Sequence, residues 1–145
     1  MWRLTRSYPF CASHRLHLDS LSEEENRRLF DKCNNPFGHG HNYVLEVSVE
    51  GEPDPATGLL IGRAELDALV REKVLSRIDH KDMNCDVPEF ERLNPTTENL
   101  AKVISGWLRE AWPDESSGRS RAARVRLVET RKNSFTLELG PDEAE

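Results

Sequence analysis

The chain has 145 residues, 37% hydrophobic and 32% charged, with a formal net charge of −6. That length fits one domain, 1–145, with a real core. The acidic balance argues against a general nucleic-acid binder, and no apolar run approaches the length of a membrane span.

The first strand is expected from Arg3 to His14, with Tyr8, Phe10, Ala12 and His14 on one face. Ser22 with Glu25 three residues on reads as a capping box that opens a short helix through Phe30. A second strand starts near Gly38. His39, His41, Tyr43, Leu45, Val47 and Val49 share its apolar face, and Asn42, Glu46, Ser48 and Glu50 the polar one. Glu52 to Gly58 is a loop. Leu66, Leu69, Val70, Val74 and Ile78 recur at helical spacing. Asn94-Pro95-Thr96-Thr97-Glu98 reads as the start of a second long helix, with Pro95 in its first turn and Trp112 at its end. Asp114 to Arg121 is a polar loop. Two strands follow, one carrying Val125, Leu127 and Glu129 on a face, the other Phe135, Leu137 and Leu139, with Arg131 to Ser134 as the turn. The order β-β-α-α-β-β predicts an α+β fold, a four-stranded antiparallel sheet with two helices on one face. Its unpaired edge strands predict an oligomer.

His39-Gly40-His41 carries the chemistry. In a strand it sets two imidazoles side by side, and the glycine between them adds no side chain to crowd the other face. Two imidazoles so placed can give a zinc ion two of its three protein ligands. His14, at the end of the first strand's apolar face, is the best third ligand if the strands pair as a hairpin. Cys33 precedes the pair and reads as a thiolate base or nucleophile, its pKa lowered by the metal or a helix end; as a bland alternative it is a small buried hydrophobe. Asp79-His80, after the first long helix, is either a helix terminus or a proton-transfer dyad. Glu129 points inward, and a buried carboxylate needs a partner. That partner is an internal arginine or a ligand with two parallel N–H donors, such as a pterin or guanine. Cys11 and Cys85 read as structural. Three cysteines without CxxC spacing, and an N-terminus without signal-peptide character, fit reduced thiols in the cytoplasm.

Several long motifs then occur in order. They include Ala12-Ser13-His14-Arg15-Leu16, Lys32-Cys33-Asn34-Asn35-Pro36, Gly38-His39-Gly40-His41-Asn42-Tyr43 and Asp54-Pro55-Ala56-Thr57-Gly58. Asp79-His80-Lys81-Asp82-Met83-Asn84, Asp86-Val87-Pro88, Pro95-Thr96-Thr97-Glu98-Asn99-Leu100 and Glu129-Thr130 follow. With them the chain resembles the 6-pyruvoyltetrahydropterin synthase family over nearly its whole length. The resemblance implies a T-fold whose subunits form barrel-closing trimers, stacked in pairs as homohexamers with active sites between subunits. It implies Zn2+ on His14, His39 and His41, a catalytic triad of Cys33, Asp79 and His80, a pterin anchor at Glu129, and Thr97 and Glu98 in the pterin pocket. The implied substrate is 7,8-dihydroneopterin triphosphate, rearranged and relieved of its triphosphate without a redox cofactor. Arg15, His17 and Lys32 are local candidates to meet the triphosphate.

The competing branch, 6-carboxytetrahydropterin synthase of queuosine biosynthesis, shares the site but releases acetaldehyde. Its cysteine usually stands closer to the His-Gly-His unit. Here Asn34 to Gly38 intervene between Cys33 and His39, which favours the pyruvoyl branch. A non-catalytic pterin- or purine-binding module on the same fold is the alternative from another class. Gly62, where the family often has a polar helix cap, is a mild departure.

Overall fold

The computed structural model describes residues 1–113 and 119–141. Strand β1 runs Trp2–His14, helix α1 Glu23–Phe30 and strand β2 His39–Gly51. Both halves of the Ser22–Glu25 capping box are formed. Helix α2, Arg63–Val70, starts at Gly62 without a side-chain cap. It runs through a π turn, Arg71–Leu75, into α3, Ser76–Ile78. Strand β3, Lys81–Asp82, and helix α4, Met83–Asp86, lead to α5, Thr97–Ala111, and to strands β4, Ser120–Val128, and β5, Ser134–Glu138. No described helix is long and apolar enough to cross a membrane.

The sheet order is β3-β1-β2-β4-β5. The four long strands pair antiparallel as expected, and β3 adds a fifth, parallel to Ala12–Ser13. Two residues carry no periodic signal, so this strand is invisible to pattern reading. One face of the sheet is the core. Phe10, Tyr43, Leu45, Val47, Val125 and Leu127 pack there beneath Leu66, Val70, Val74 and Ile78 and beneath Leu100, Ile104 and Leu108 of α5. The other face is a polar lattice. Arg121 pairs with Glu50 at 3.0 Å, Arg126 pairs with Glu46, and the Ser48 hydroxyl meets Thr5 at 2.8 Å and Arg124 at 3.2 Å.

Three expectations change. Pro95 lies before the N-cap rather than in the first turn, because the Thr96 hydroxyl accepts from the Asn99 N–H and so takes the cap position itself. Of the predicted loop Asp114 to Arg121, residues 114–118 lie outside the described set, and Ser120 and Arg121 already belong to β4. Glu129 stands just beyond β4, with its N–H donating to the Asn133 carbonyl at 3.0 Å. It still takes the inward side of its strand, its side chain only 12% exposed.

Candidate functional site

The β1–β2 register sets His14 opposite His39 and Ala12 opposite His41. All three histidines therefore meet at one end of the covered face. Their ring centroids are 5.5 Å (His14–His39), 5.0 Å (His14–His41) and 4.4 Å (His39–His41) apart. His14 is buried, and its Nδ1 lies 2.8 Å from the Pro95 carbonyl oxygen. A carbonyl only accepts, so Nδ1 carries the proton and Nε2 keeps its lone pair. That Nε2 faces His41 Nε2 at 3.2 Å. The spacing suits a tetrahedral cation, whose N···N edges are about 3.3 Å for bonds of about 2.0–2.1 Å. Burial pushes the pKa of His14 and of His41 down, against the opposing pull of Glu129. Both rings are thus biased to the neutral form that ligates metal.

Cys33 sits in a 3₁₀ turn, Asp31–Asn34, directly after α1. Its carbonyl accepts from the Leu16 N–H at 2.7 Å, and Asn34 Nδ2 donates to the Leu16 carbonyl at 2.7 Å. These bonds dock the turn on the exit of β1. Cys33 Sγ lies 3.0 Å from His39 Nε2. His14, Cys33, His39 and His41 offer ligand atoms that all lie within 4.8 Å of one another. The sequence suggests a lowered thiol pKa, but burial, then Glu129 and Asp31, push it up. A thiolate here calls for a cation close to the sulfur, such as a metal held by the histidines would supply.

Glu129 closes the cluster. The Thr97 hydroxyl donates to its Oε2, and its Oε1 lies 4.0 Å from His41 Nε2. Neither partner is an arginine, so the internal ion pair that the sequence left open is not what these contacts show. Thr97 is buried on the first turn of α5, whereas Glu98 beside it is exposed and shares none of these contacts. Of the candidates for a triphosphate, Arg15 has a buried Nε without a hydrogen-bond partner among the described residues. His17 is occupied by Asn34 at 3.0 Å and Asp19 at 3.5 Å, and Lys32 is exposed.

Asp79 and His80 lie elsewhere. Asp79 Oδ1 accepts from the Cys11 N–H at 3.0 Å, and the His80 N–H donates to the Cys11 carbonyl at 2.6 Å. His80 Nδ1 lies 3.6 Å from Cys11 Sγ, and its Nε2 lies 3.7 Å from Asp79 Oδ1, too far for a hydrogen bond. A cleft lined by Cys11, Ser13, Asn42, His80, Lys81 and Asp82 opens beside them. Cys11 is therefore not the isolated thiol it is in the sequence. Only the β1–β3 pairing brings it to this dyad, and no local pattern announces that pairing. Cys11 projects from the face of β1 opposite to His14. One chain thus gathers the histidines, Cys33, Glu129 and Thr97 on one side of β1, and Asp79–His80 on the other.

The profile of the family described as 6-pyruvoyl tetrahydropterin synthase matches residues 3–139. The chain is 43% identical over 130 residues to 6-pyruvoyl tetrahydrobiopterin synthase of Poecilia reticulata, covering 90% of this chain and 85% of the relative. It is 47% identical over 111 residues to the Homo sapiens protein of that name, covering 77% of each. The solved structure of Caenorhabditis elegans 6-pyruvoyl tetrahydropterin synthase superposes with a TM-score of 0.85 at 36% identity, covering 96% of each chain. The α+β sheet-and-helix arrangement is accordingly a T-fold. The chain belongs to the 6-pyruvoyl tetrahydropterin synthase family.

Proposed function

We propose that the protein is a zinc-dependent lyase that converts 7,8-dihydroneopterin triphosphate to 6-pyruvoyltetrahydropterin and releases triphosphate. The observation that carries this reading is the tight cluster of His14, Cys33, His39 and His41 beside a Glu129 carboxylate whose partners are Thr97 and His41. Imidazole and thiolate donors at tetrahedral spacing suit zinc. Bound there, zinc supplies Lewis-acid stabilisation of charge developing on the substrate's side-chain oxygens. His14, His39 and His41 hold it, and the Pro95 carbonyl fixes the His14 ring. Cys33 accepts protons from the side-chain carbons. Glu129 accepts the paired N–H donors of the pterin ring, and Thr97 steadies its Oε2. Glu98 borders this pocket from the same helix turn. The elimination breaks a carbon–oxygen bond to triphosphate, and the remaining steps are proton shifts, so no external oxidant or reductant is consumed.

Asp79 and His80 complete the triad from a neighbouring copy in this reading, in homohexamers built as paired trimers. Their place across β1 from Cys33 supports it, as do the outward edges of β1 and β5. The three free thiols suit a reducing cytoplasm.

Product analysis of the zinc-loaded protein with 7,8-dihydroneopterin triphosphate is the test. Triphosphate with a pyruvoyl pterin is expected, and Cys33→Ala should abolish both. Acetaldehyde with a carboxy pterin would move the protein to the queuosine branch. Zinc binding without any product would leave a pterin-binding module.

A further inference from the structure

We infer that Tyr43 is a further substrate-positioning residue, its hydroxyl kept for the ring oxygen of the pterin that Glu129 anchors; this rests on the reading of Glu129 as the ring anchor. Tyr43 is 1% exposed, and its hydroxyl oxygen is buried without a hydrogen-bond partner among the described residues. Buried phenol hydroxyls ordinarily find a partner, and an orphan needs a reason.

The ring is held in place. It stacks on Phe10 at 4.9 Å with an 11° interplanar angle, and it meets the His41 ring edge-on at 5.4 Å. It follows His41 by two residues, so the strand aims both at the same face. The groups acting on its hydroxyl are Glu129, Thr97 and Cys33, all members of the site. The Thr97 hydroxyl also acts on it, but its own proton goes to Glu129 Oε2, and the Tyr43 hydroxyl is left without a hydrogen bond of good geometry.

The chemistry that fits is a hydrogen-bond acceptor next to whatever Glu129 binds. A pterin presents a ring N–H and an amino group to a carboxylate, and its ring carbonyl oxygen adjoins that N–H. A neutral phenol donates to such an oxygen while Glu129 accepts from the donor edge. Together the two would read the donor–acceptor order of the ring, and not merely its shape.

The test is Tyr43→Phe in the full-length, zinc-loaded protein. Phenylalanine keeps the stacking on Phe10 and removes only the hydroxyl. Binding of 7,8-dihydroneopterin is measured by calorimetry, and thermal melting is followed without ligand. The expected result is a Kd raised about tenfold together with a ligand-free Tm above wild type, because the variant no longer buries an unpaired polar group. A merely structural tyrosine would lower the Tm instead, and that outcome overturns the inference. So does an unchanged Kd when Glu129→Ala abolishes binding. If Glu129→Ala also leaves binding intact, the anchor reading itself fails and the inference falls with it.

Discussion

Gly38 decides whether the histidine cluster can assemble. Its φ is +70°, and a Cβ there would stand 2.7 Å from the His14 carbonyl oxygen, a backbone atom that cannot swing aside. Gly38 also ends the turn from Cys33, with its N–H donating to the Asn35 carbonyl at 2.8 Å. A side chain at 38 must therefore push apart the strand ends that carry His14 and His39. Gly40, the residue that the His-Gly-His pattern draws attention to, is less constrained: a Cβ there would meet only the Ala12 carbonyl oxygen at 3.7 Å, an ordinary contact. Gly38→Ala is expected to cost about 1–3 kcal/mol in stability and at least about tenfold in zinc affinity. Gly40→Ala should stay near wild type in both. Competition with a chromophoric chelator and thermal melting measure the pair, and equal affinities for Gly38→Ala and wild type would refute the argument. At this scale the clustering of the three histidines was legible, because strand alternation fixes which side chains share a face. The strained glycine was not, since its φ follows from how a turn meets another strand. Nor was the orphan hydroxyl of Tyr43, which reads in sequence as one more apolar residue of its strand.

Between elements, the path from α2 to α3 shows how a pattern can be right about burial and silent about geometry. Leu66, Val70, Val74 and Ile78 are four residues apart, and each is 0% exposed. In a regular α-helix four-residue steps drift by about 40° each, so the last side chain would leave the core face. The π turn Arg71–Leu75 takes up the extra rotation and keeps all four buried. It also delivers Asp79 and His80 to β1. The spacing foretells a helix there but not this local unwinding. Asp67 fastens the start of that path to the sheet. It accepts from Arg6 Nε at 2.8 Å, from Arg6 Nη2 at 2.9 Å and from the Tyr8 hydroxyl at 2.7 Å. The Arg6 and Tyr8 bonds hold the Asp67 carboxyl below its ordinary 3.8, despite an opposing desolvation effect. A carboxylate with a lowered folded pKa adds stability above its unfolded value and loses it as pH falls through the folded one. The stability gap between wild type and Asp67→Asn is therefore expected to be full near neutral pH and to close below about 3.8. Melting curves across that range test it, and a gap independent of pH would show that charge is not what the contact uses. Solvent screening limits the size of the effect, because the side chains of Asp67 and Arg6 are 26% and 35% exposed.

For the whole molecule, the sheet separates the groups that the proposed reaction needs. Its face under the helices carries Cys33, Glu129 and the histidines, while Asp79 and His80 lean on Cys11 across β1. No side-chain rotation brings a group through a paired strand. Among the described residues β3 pairs with β1 at Ala12–Ser13 alone and Asp79 and His80 take up Cys11, so the rest of that edge, like that of β5, is open to another copy. The periodic pattern made the open edges of the sheet legible. It could not show that Cys33 lies apart from Asp79 and His80, because that depends on which face of β1 receives residues about seventy positions downstream. If neighbouring copies complete each other's sites, Cys33→Ala and His80→Ala damage different halves of every site. Each homomer should be inactive. Unfolding the two together and refolding them as mixed assemblies should restore about a quarter of wild-type activity, the fraction of sites that draw an intact residue from both neighbours under random mixing. Mixing the folded homomers without exchange should restore nothing. Recovery in the refolded mixture alone would locate the reaction between subunits. Its absence, with both variants shown by sedimentation to share assemblies, would mean that each chain works with its own Asp79 and His80, and that the face separation must be undone by a rearrangement of β3.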